Sequence, residues 1–291
     1  MRPVFLRRLF VVYLLCMIVN ATGLSECTIV TTFYPMYVLT SALTDNAENI
    51  TVKNMVSETV GCLHDYSLSP RDVALLERAD IVIANGGGME QFLSRVAVMR
   101  PDLPIIDASD GIKMQDSWEE GLLNAHVWLS PQLTAIQVQN ITLGLSKVDP
   151  SNAEIYEKNA KMLCGRLDEL DSELKKTLQP CAGCAIITFH EAFNYFAEAY
   201  GIEVAGVIAH EPGENPSTRE IAKTCDLVKH LGIRALFTEP QYPAQAAETI
   251  ARETGAKLYQ LDTFVSGDGS FEGYEATMRK NASILLEALA P

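Results

Sequence analysis

The feature that most constrains this chain is an alternation that runs twice along it. Short β-branched runs are separated by amphipathic stretches of helical period, the pattern of parallel strands joined by crossover helices. In the first half the runs fall at residues 28–32, 50–56, 81–84 and 104–107, with helices predicted to begin near Tyr34, Pro70, Met89 and Pro131. Ser69-Pro70 and Ser130-Pro131 each place a capping hydroxyl before a proline at the first helical position, which fixes those starts. In the second half the runs fall at 185–189, 203–208, 235–238 and 257–261, and helices are predicted from about Glu191, Ser217, Pro243 and Phe271. Ser217 and Glu220 have capping-box spacing, while Gly201, Gly232 and Gly255 stand where helix ends take a left-handed residue.

Between the halves, residues 151–178 form one unbroken helical pattern. Leu163, Leu167, Leu170, Leu174 and Leu178 recur on one face, Gln179-Pro180 ends the run, and Ser151 with Glu154 suggests a capping box. At 1.5 Å per residue such a helix is about 40 Å long. The expected fold is α/β: two similar lobes, each a mainly parallel sheet flanked by helices, joined by one long linking helix. The N-terminal lobe covers 27–150, the linking helix 151–178 and the C-terminal lobe 179–291. Ligands of open parallel sheets bind beyond the carboxyl ends of the strands, so the loops that follow strands are where chemistry is expected.

Ahead of the first strand, Arg2, Arg7 and Arg8 precede the apolar residues 9–19 and the small-residue segment 20–25. That order is a secretory signal peptide, so residues 1–26 are read as an export signal. The apolar run, like every later one, falls short of the ~20 residues of a transmembrane helix. A monomer outside the cytoplasm is expected, in a periplasm or at the outer face of the cytoplasmic membrane. Plain cleavage near Gly23 is favoured; a lipid anchor on Cys27 is the alternative, weakened because Glu26 stands where a lipoprotein signal has a small residue. The formal charge of −14 becomes −16 once three arginines and Glu26 leave with the signal. So acidic a surface argues against nucleic acid as a partner and favours approach by cations.

Six cysteines follow the signal, namely Cys27, Cys62, Cys164, Cys181, Cys184 and Cys225, and an oxidising compartment permits disulfides without fixing their pairing. Cys181-Ala-Gly-Cys184 has the spacing of a redox pair or half a zinc knuckle. With no second such pair, and a strand following it, a structural disulfide or buried thiols is expected instead.

The five histidines carry the chemistry. His64 and His126 each lie a few residues before a Ser-Pro helix start, and His190 directly follows the apolar run 185–189. One such histidine alone is more often packed or solvated than a ligand; three at strand ends in both lobes are not an ordinary pattern.

Six motifs occur in order: Thr31-Thr-Phe-Tyr-Pro35, His64-Asp-Tyr-Ser-Leu-Ser-Pro70, His126-Val-Trp-Leu-Ser-Pro131, Phe189-His-Glu-Ala-Phe-Asn-Tyr-Phe196, Phe237-Thr-Glu-Pro-Gln241 and Leu261-Asp-Thr263. With them the chain resembles the solute-binding proteins of zinc and manganese ABC transporters, the ZnuA- and TroA-like group, over nearly all of its mature length. The resemblance implies a TroA-like fold. It also implies capture of Zn2+ between the lobes by His64, His126, His190 and Asp262, and delivery to a membrane permease with its cytoplasmic ATPase. Three imidazoles and one carboxylate suit tetrahedral zinc, whereas Mn2+ prefers more oxygen donors. Manganese members of the group carry glutamate where this chain has His190. Many zinc members also carry a histidine-rich acidic loop before the second ligand; residues 114–123 hold Asp116, Glu119 and Glu120 but no histidine. Leu63 stands where some members have an acidic residue, which makes Asp262 the better fourth donor.

Glu239 is a candidate to hydrogen-bond a ligating imidazole, with a strand-end cap as the equal alternative. His210 is read as supporting the site or solvated, and His230, before Gly232, as structural at a helix C-terminus. The rival function is a zinc hydrolase, but Asn194 stands where a metalloprotease helix has its second histidine, and no GxSxG element exists. A manganese-binding member of the same group is the other alternative. Cell adhesion, described for relatives, finds no repeat here to support it.

Overall fold

A computed structural model of the protein describes residues 26–56, 63, 66–119, 121–209 and 216–290. Residues 1–25 of the signal segment, Cys62, His64, His210 and Glu211 therefore lie outside the described residues. Two four-stranded parallel sheets organise the chain. The first contains β1 (Cys27–Thr31), β2 (Ile50–Asn54), β3 (Ile81–Ala84) and β4 (Ile105–Asp107) in the order β2-β1-β3-β4. The second contains β7 (Ala185–Thr188), β8 (Glu203–Val207), β9 (Ala235–Thr238) and β10 (Lys257–Gln260) in the order β10-β9-β7-β8. Counted within each half, both orders are the same topology. A two-stranded antiparallel ribbon, β5 (Gln115–Asp116) with β6 (Leu123–Asn124), precedes the second histidine motif.

Helices α1 (Tyr34–Leu43), α2 (Pro70–Leu76), α3 (Leu93–Met99) and α4 (Pro131–Val148) serve the first sheet. In the second half lie α6 (Asn194–Ala199), α7 (Thr218–Leu231), α8 (Gln245–Thr254) and α9 (Phe271–Leu289). The capping boxes of Ser69 with Asp72 and of Ser217 with Glu220 both form, and Gly201, Gly232 and Gly255 end their helices at φ +69°, +65° and +79°. Ser130 precedes α4 as predicted, but its hydroxyl makes no capping bond; Thr134 instead bonds the Ser130 carbonyl at 2.9 Å. Gly144 permits α4 to lie against β4, since a Cβ there would sit 2.6 Å from Ile106 Cδ1. Two helix starts differ from expectation by more than two residues. Residues 86–88 are glycines with positive φ in a turn, a second turn follows at 91–92, and α3 begins only at Leu93. Residues 191–193 form a 3-10 turn before α6.

The linking helix is α5 (Ala153–Leu178), preceded by a 3-10 turn at Pro150–Asn152. It therefore starts two residues later than the predicted 151–178, and Ser151 is not its cap. The Ser151 hydroxyl turns to the Asp149 carboxylate, and Asn152 bonds the backbone of Glu48 in both directions, at 3.0 and 3.1 Å. Asp149, two residues before Ser151, thus takes the hydroxyl that the expected capping box would have used. The leucine stripe at 163, 167, 170, 174 and 178 is buried, packing α5 against α1, α4 and α9. Arg166 forks onto Glu275 of α9 at 2.9 Å and lies over the Phe271 ring. One continuous core runs from the first sheet through α5 into α9, and a second lies under α7 and α8. Cys181 is buried and Cys184 half-buried, both as free thiols. Among the described residues no helix is long and apolar enough to cross a membrane.

Candidate metal centre

β7 and β9 are adjacent and parallel, with Thr188 in register with Phe237. The residues just past their carboxyl ends, His190 and Glu239, are therefore side by side although 49 positions apart. His190 leaves the strand in extended conformation, its carbonyl accepting from the Thr188 hydroxyl at 2.7 Å. Its Nδ1 lies 2.6 Å from Glu239 Oε1, and both side chains are 1% exposed. A carboxylate only accepts, so Nδ1 carries the proton and Nε2 presents a lone pair.

His126 reaches the same point from the first half. It caps the 3-10 turn Val127–Leu129, whose Trp128 ring lies between it and Phe33, with centroids 5.1 and 5.0 Å away. Asn124 Oδ1 accepts the His126 backbone N–H at 3.0 Å and lies 2.9 Å from its Nδ1. The Asn124 amide nitrogen is committed to the Glu191 carbonyl at 2.9 Å, so the oxygen faces the ring and Nδ1 of His126 is also the protonated nitrogen. With both rings neutral, His126 Nε2 and His190 Nε2 therefore turn their lone pairs toward each other, 3.3 Å apart. Such an arrangement is stabilised by a proton or a cation held between the two nitrogens. Tetrahedral bonds of about 2.0–2.1 Å to one zinc ion separate two ligand nitrogens by about 3.3–3.4 Å.

A family model for ZnuA, described as zinc-uptake complex component A, periplasmic, matches residues 29–288. The chain belongs to the ZnuA family. The high-affinity zinc uptake system protein ZnuA of Bacillus subtilis is 30% identical over 281 residues, covering 90% of this chain and 87% of that protein. Among solved structures, FpvC of Pseudomonas aeruginosa in complex with Mn2+ is 29% identical, with TM-score 0.81, covering 91% of this chain and 98% of that one. A zinc-bound ZnuA deletion mutant is 25% identical, with TM-score 0.80, covering 92% and 99%. The ZnuA family comprises extracytoplasmic metal-binding components of ABC transporters and not enzymes, which removes the hydrolase alternative.

Of the residues expected at the metal, the structure brings His126 and His190 together and sets Glu239 behind the second ring. Asp262 follows β10, next to β9 in the sheet; its Oδ1 accepts from the Phe264 amide at 2.8 Å, and Asn281 holds its backbone on both sides. Among the described residues, no group of three or more His, Cys, Asp or Glu that could hold a metal ion is assembled. The turn after Asp262 is tied to the site all the same. Trp128 Nε1 donates to the Thr263 carbonyl at 2.8 Å, and Phe264 sits at φ +56°, a region a bulky residue enters only when its surroundings impose it. His230 lies in the last turn of α7 before the left-handed Gly232.

Asn124 and Glu191 were not among the expected residues. An asparagine two positions before a histidine carries no signal of its own, and Glu191 stood in the Phe189–Phe196 motif without a role assigned to it. The Glu191 carboxylate instead accepts from the Ser117 hydroxyl at 2.7 Å and the Trp118 amide at 2.8 Å.

Proposed function

We propose that this ZnuA-family chain captures a single Zn2+ ion between its two halves and delivers it to the membrane permease of an ABC importer. The observation that carries the choice of metal is the facing pair of imidazole nitrogens 3.3 Å apart, each ring's other nitrogen engaged by an oxygen acceptor. Nitrogen donors at that spacing suit zinc, and the Irving–Williams order places zinc above manganese at such a site. In this proposal His64 supplies the third imidazole and Asp262 the carboxylate, completing a closed shell with no position left for substrate. Residues 27–150 and 179–291 act as the two lobes, with 151–178 as the spine between them. The chain works as a monomer outside the cytoplasm after loss of residues 1–26, with a lipid anchor on Cys27 as the alternative mode of retention.

Calorimetric titration of the mature protein with Zn2+ and Mn2+, wild type against His126→Ala, tests this. Saturable binding of one zinc, tighter than manganese and abolished by the substitution, is expected. Binding that survives in His126→Ala, or manganese bound more tightly than zinc, overturns the assignment.

A further inference from the structure

The ribbon β5–β6 belongs to the first half by sequence, yet it is held by the segment of the second half that begins at His190. Glu191, itself buried, receives the Ser117 hydroxyl on Oε1 and the Trp118 amide on Oε2, and its backbone carbonyl takes the Asn124 amide. Tyr195, one turn later, accepts the Gln115 amide at 2.8 Å and donates to the Asn124 carbonyl at 2.7 Å. The Gln115 side chain reaches Glu198.

These bonds join the two imidazoles by a route that bypasses the metal. From His126 it passes through Asn124, which holds the ring, and then through the Asn124 amide to the backbone of Glu191, next to His190. Each Glu191 oxygen accepts a donor from the ribbon, which commits the carboxylate to that contact. Its work is to clamp the ribbon and, through it, the distance between the two Nε2 atoms.

We propose that Glu191 is a positioning residue that sets how long the metal stays bound. It does so by holding Ser117 and Trp118 of the first half against the second. This rests on the metal-capture reading above. A carboxylate receiving two donors in a buried place forms charge-assisted bonds, stronger than neutral ones. While they persist, His126 and His190 cannot separate, and an ion between them keeps both nitrogens. Release requires the clamp to open, so weakening it shortens residence more than it slows capture, the usual division of an affinity change. Linkage requires the converse: bound metal must strengthen the clamp.

The test is stopped-flow zinc release from the loaded mature protein into excess chromogenic chelator. Wild type is compared with Glu191→Gln, Ser117→Ala, Ser117→Thr and, as control, Glu119→Gln, whose exposed side chain takes no part in the clamp. Glu191→Gln and Ser117→Ala are expected to release zinc about tenfold faster with association changed less than about threefold. Ser117→Thr, which retains the hydroxyl, and Glu119→Gln are expected to match wild type. In wild type, hydrogen exchange of the Trp118 amide is expected to slow on zinc loading, a readout independent of any variant's folding. Release within twofold of wild type in both weakened variants, or Trp118 exchange indifferent to zinc, overturns the clamp. If wild type binds zinc and His126→Ala does not, that result leaves metal capture standing and removes only the role of Glu191; if wild type binds no zinc, metal capture itself is what has failed.

Discussion

Replacing Glu239 probes the centre without touching a proposed ligand. Its Oε1 lies 2.6 Å from His190 Nδ1, both side chains are 1% exposed, and Oε2 is buried with no hydrogen-bond partner among the described residues. A carboxylate so placed fixes the ring's tautomer, points Nε2 at the ion and makes it more basic. Its buried charge is in turn offset when a cation binds on the far side of the ring. Loss of such an outer partner costs about 10–100-fold in metal affinity, or about 1.4–2.8 kcal/mol at about 1.4 kcal/mol per decade. Glu239→Ala, which removes charge and acceptor together, is expected near the upper end. Glu239→Gln keeps an oxygen for Nδ1–H and is expected near the lower. Without metal, Glu239→Gln is expected to be no less stable than wild type, because it removes a buried charge that lacks a full set of donors. Calorimetric zinc titration with a competing chelator measures the affinities, and thermal unfolding of the apo protein measures the stability. A Glu239→Ala dissociation constant within twofold of wild type would refute the reasoning, since the 2.6 Å contact would then do nothing for the ring's ligating nitrogen.

Other predictions follow from the same coordinates. His190→Glu sets a second carboxylate against Glu239, so selectivity is expected to move toward manganese only in the His190→Glu/Glu239→Gln pair, where the repulsion is relieved; parallel titrations with both metals decide this. Glu90, fully buried and accepting from Thr32, Asn85 and Gly86, has its carboxyl pushed by burial up to about 7 from an ordinary value of 4.5. A raised carboxyl stabilises the fold below its unfolded value and loses that contribution as pH rises through 7. Wild type should therefore lose about 3 kcal/mol relative to Glu90→Gln between pH 4.5 and 8, and denaturant unfolding at both pH values that shows parallel changes would exclude it. Leu170→Ala, in the buried face of α5, is expected to cost about 2–5 kcal/mol by urea unfolding, and a loss under 1 kcal/mol would deny the spine its packing role. Zinc affinity is expected to fall between pH 7.5 and 5.5, because protonated imidazole cannot ligate; a flat profile would remove histidine from the shell.

Much of this molecule is local chemistry, and local chemistry is legible. β-branched runs became strands to within two residues, Ser69 capped its helix, and the Ser217 capping box and the left-handed glycines formed as their spacing demands. Placing His190 just past β7 needed only an apolar run and the rule that ligands gather beyond strand ends. Where several local partners were on offer the sequence pattern misled, as at Ser151, whose hydroxyl takes the Asp149 carboxylate two residues before it while the helix starts two residues later.

The meeting of groups far apart in sequence was decided by the tertiary structure alone. Which strand neighbours which put Glu239 beside His190 across 49 positions, and the packing of the halves put His126 opposite it across 64. The bond from Trp118 to Glu191, spanning 73 positions, has no counterpart in any motif. Residue identity and spacing determined that imidazoles would stand at strand ends in both halves. Only strand order and packing decided that Glu239 stands behind His190 and that the Nε2 atoms of the two rings face one another.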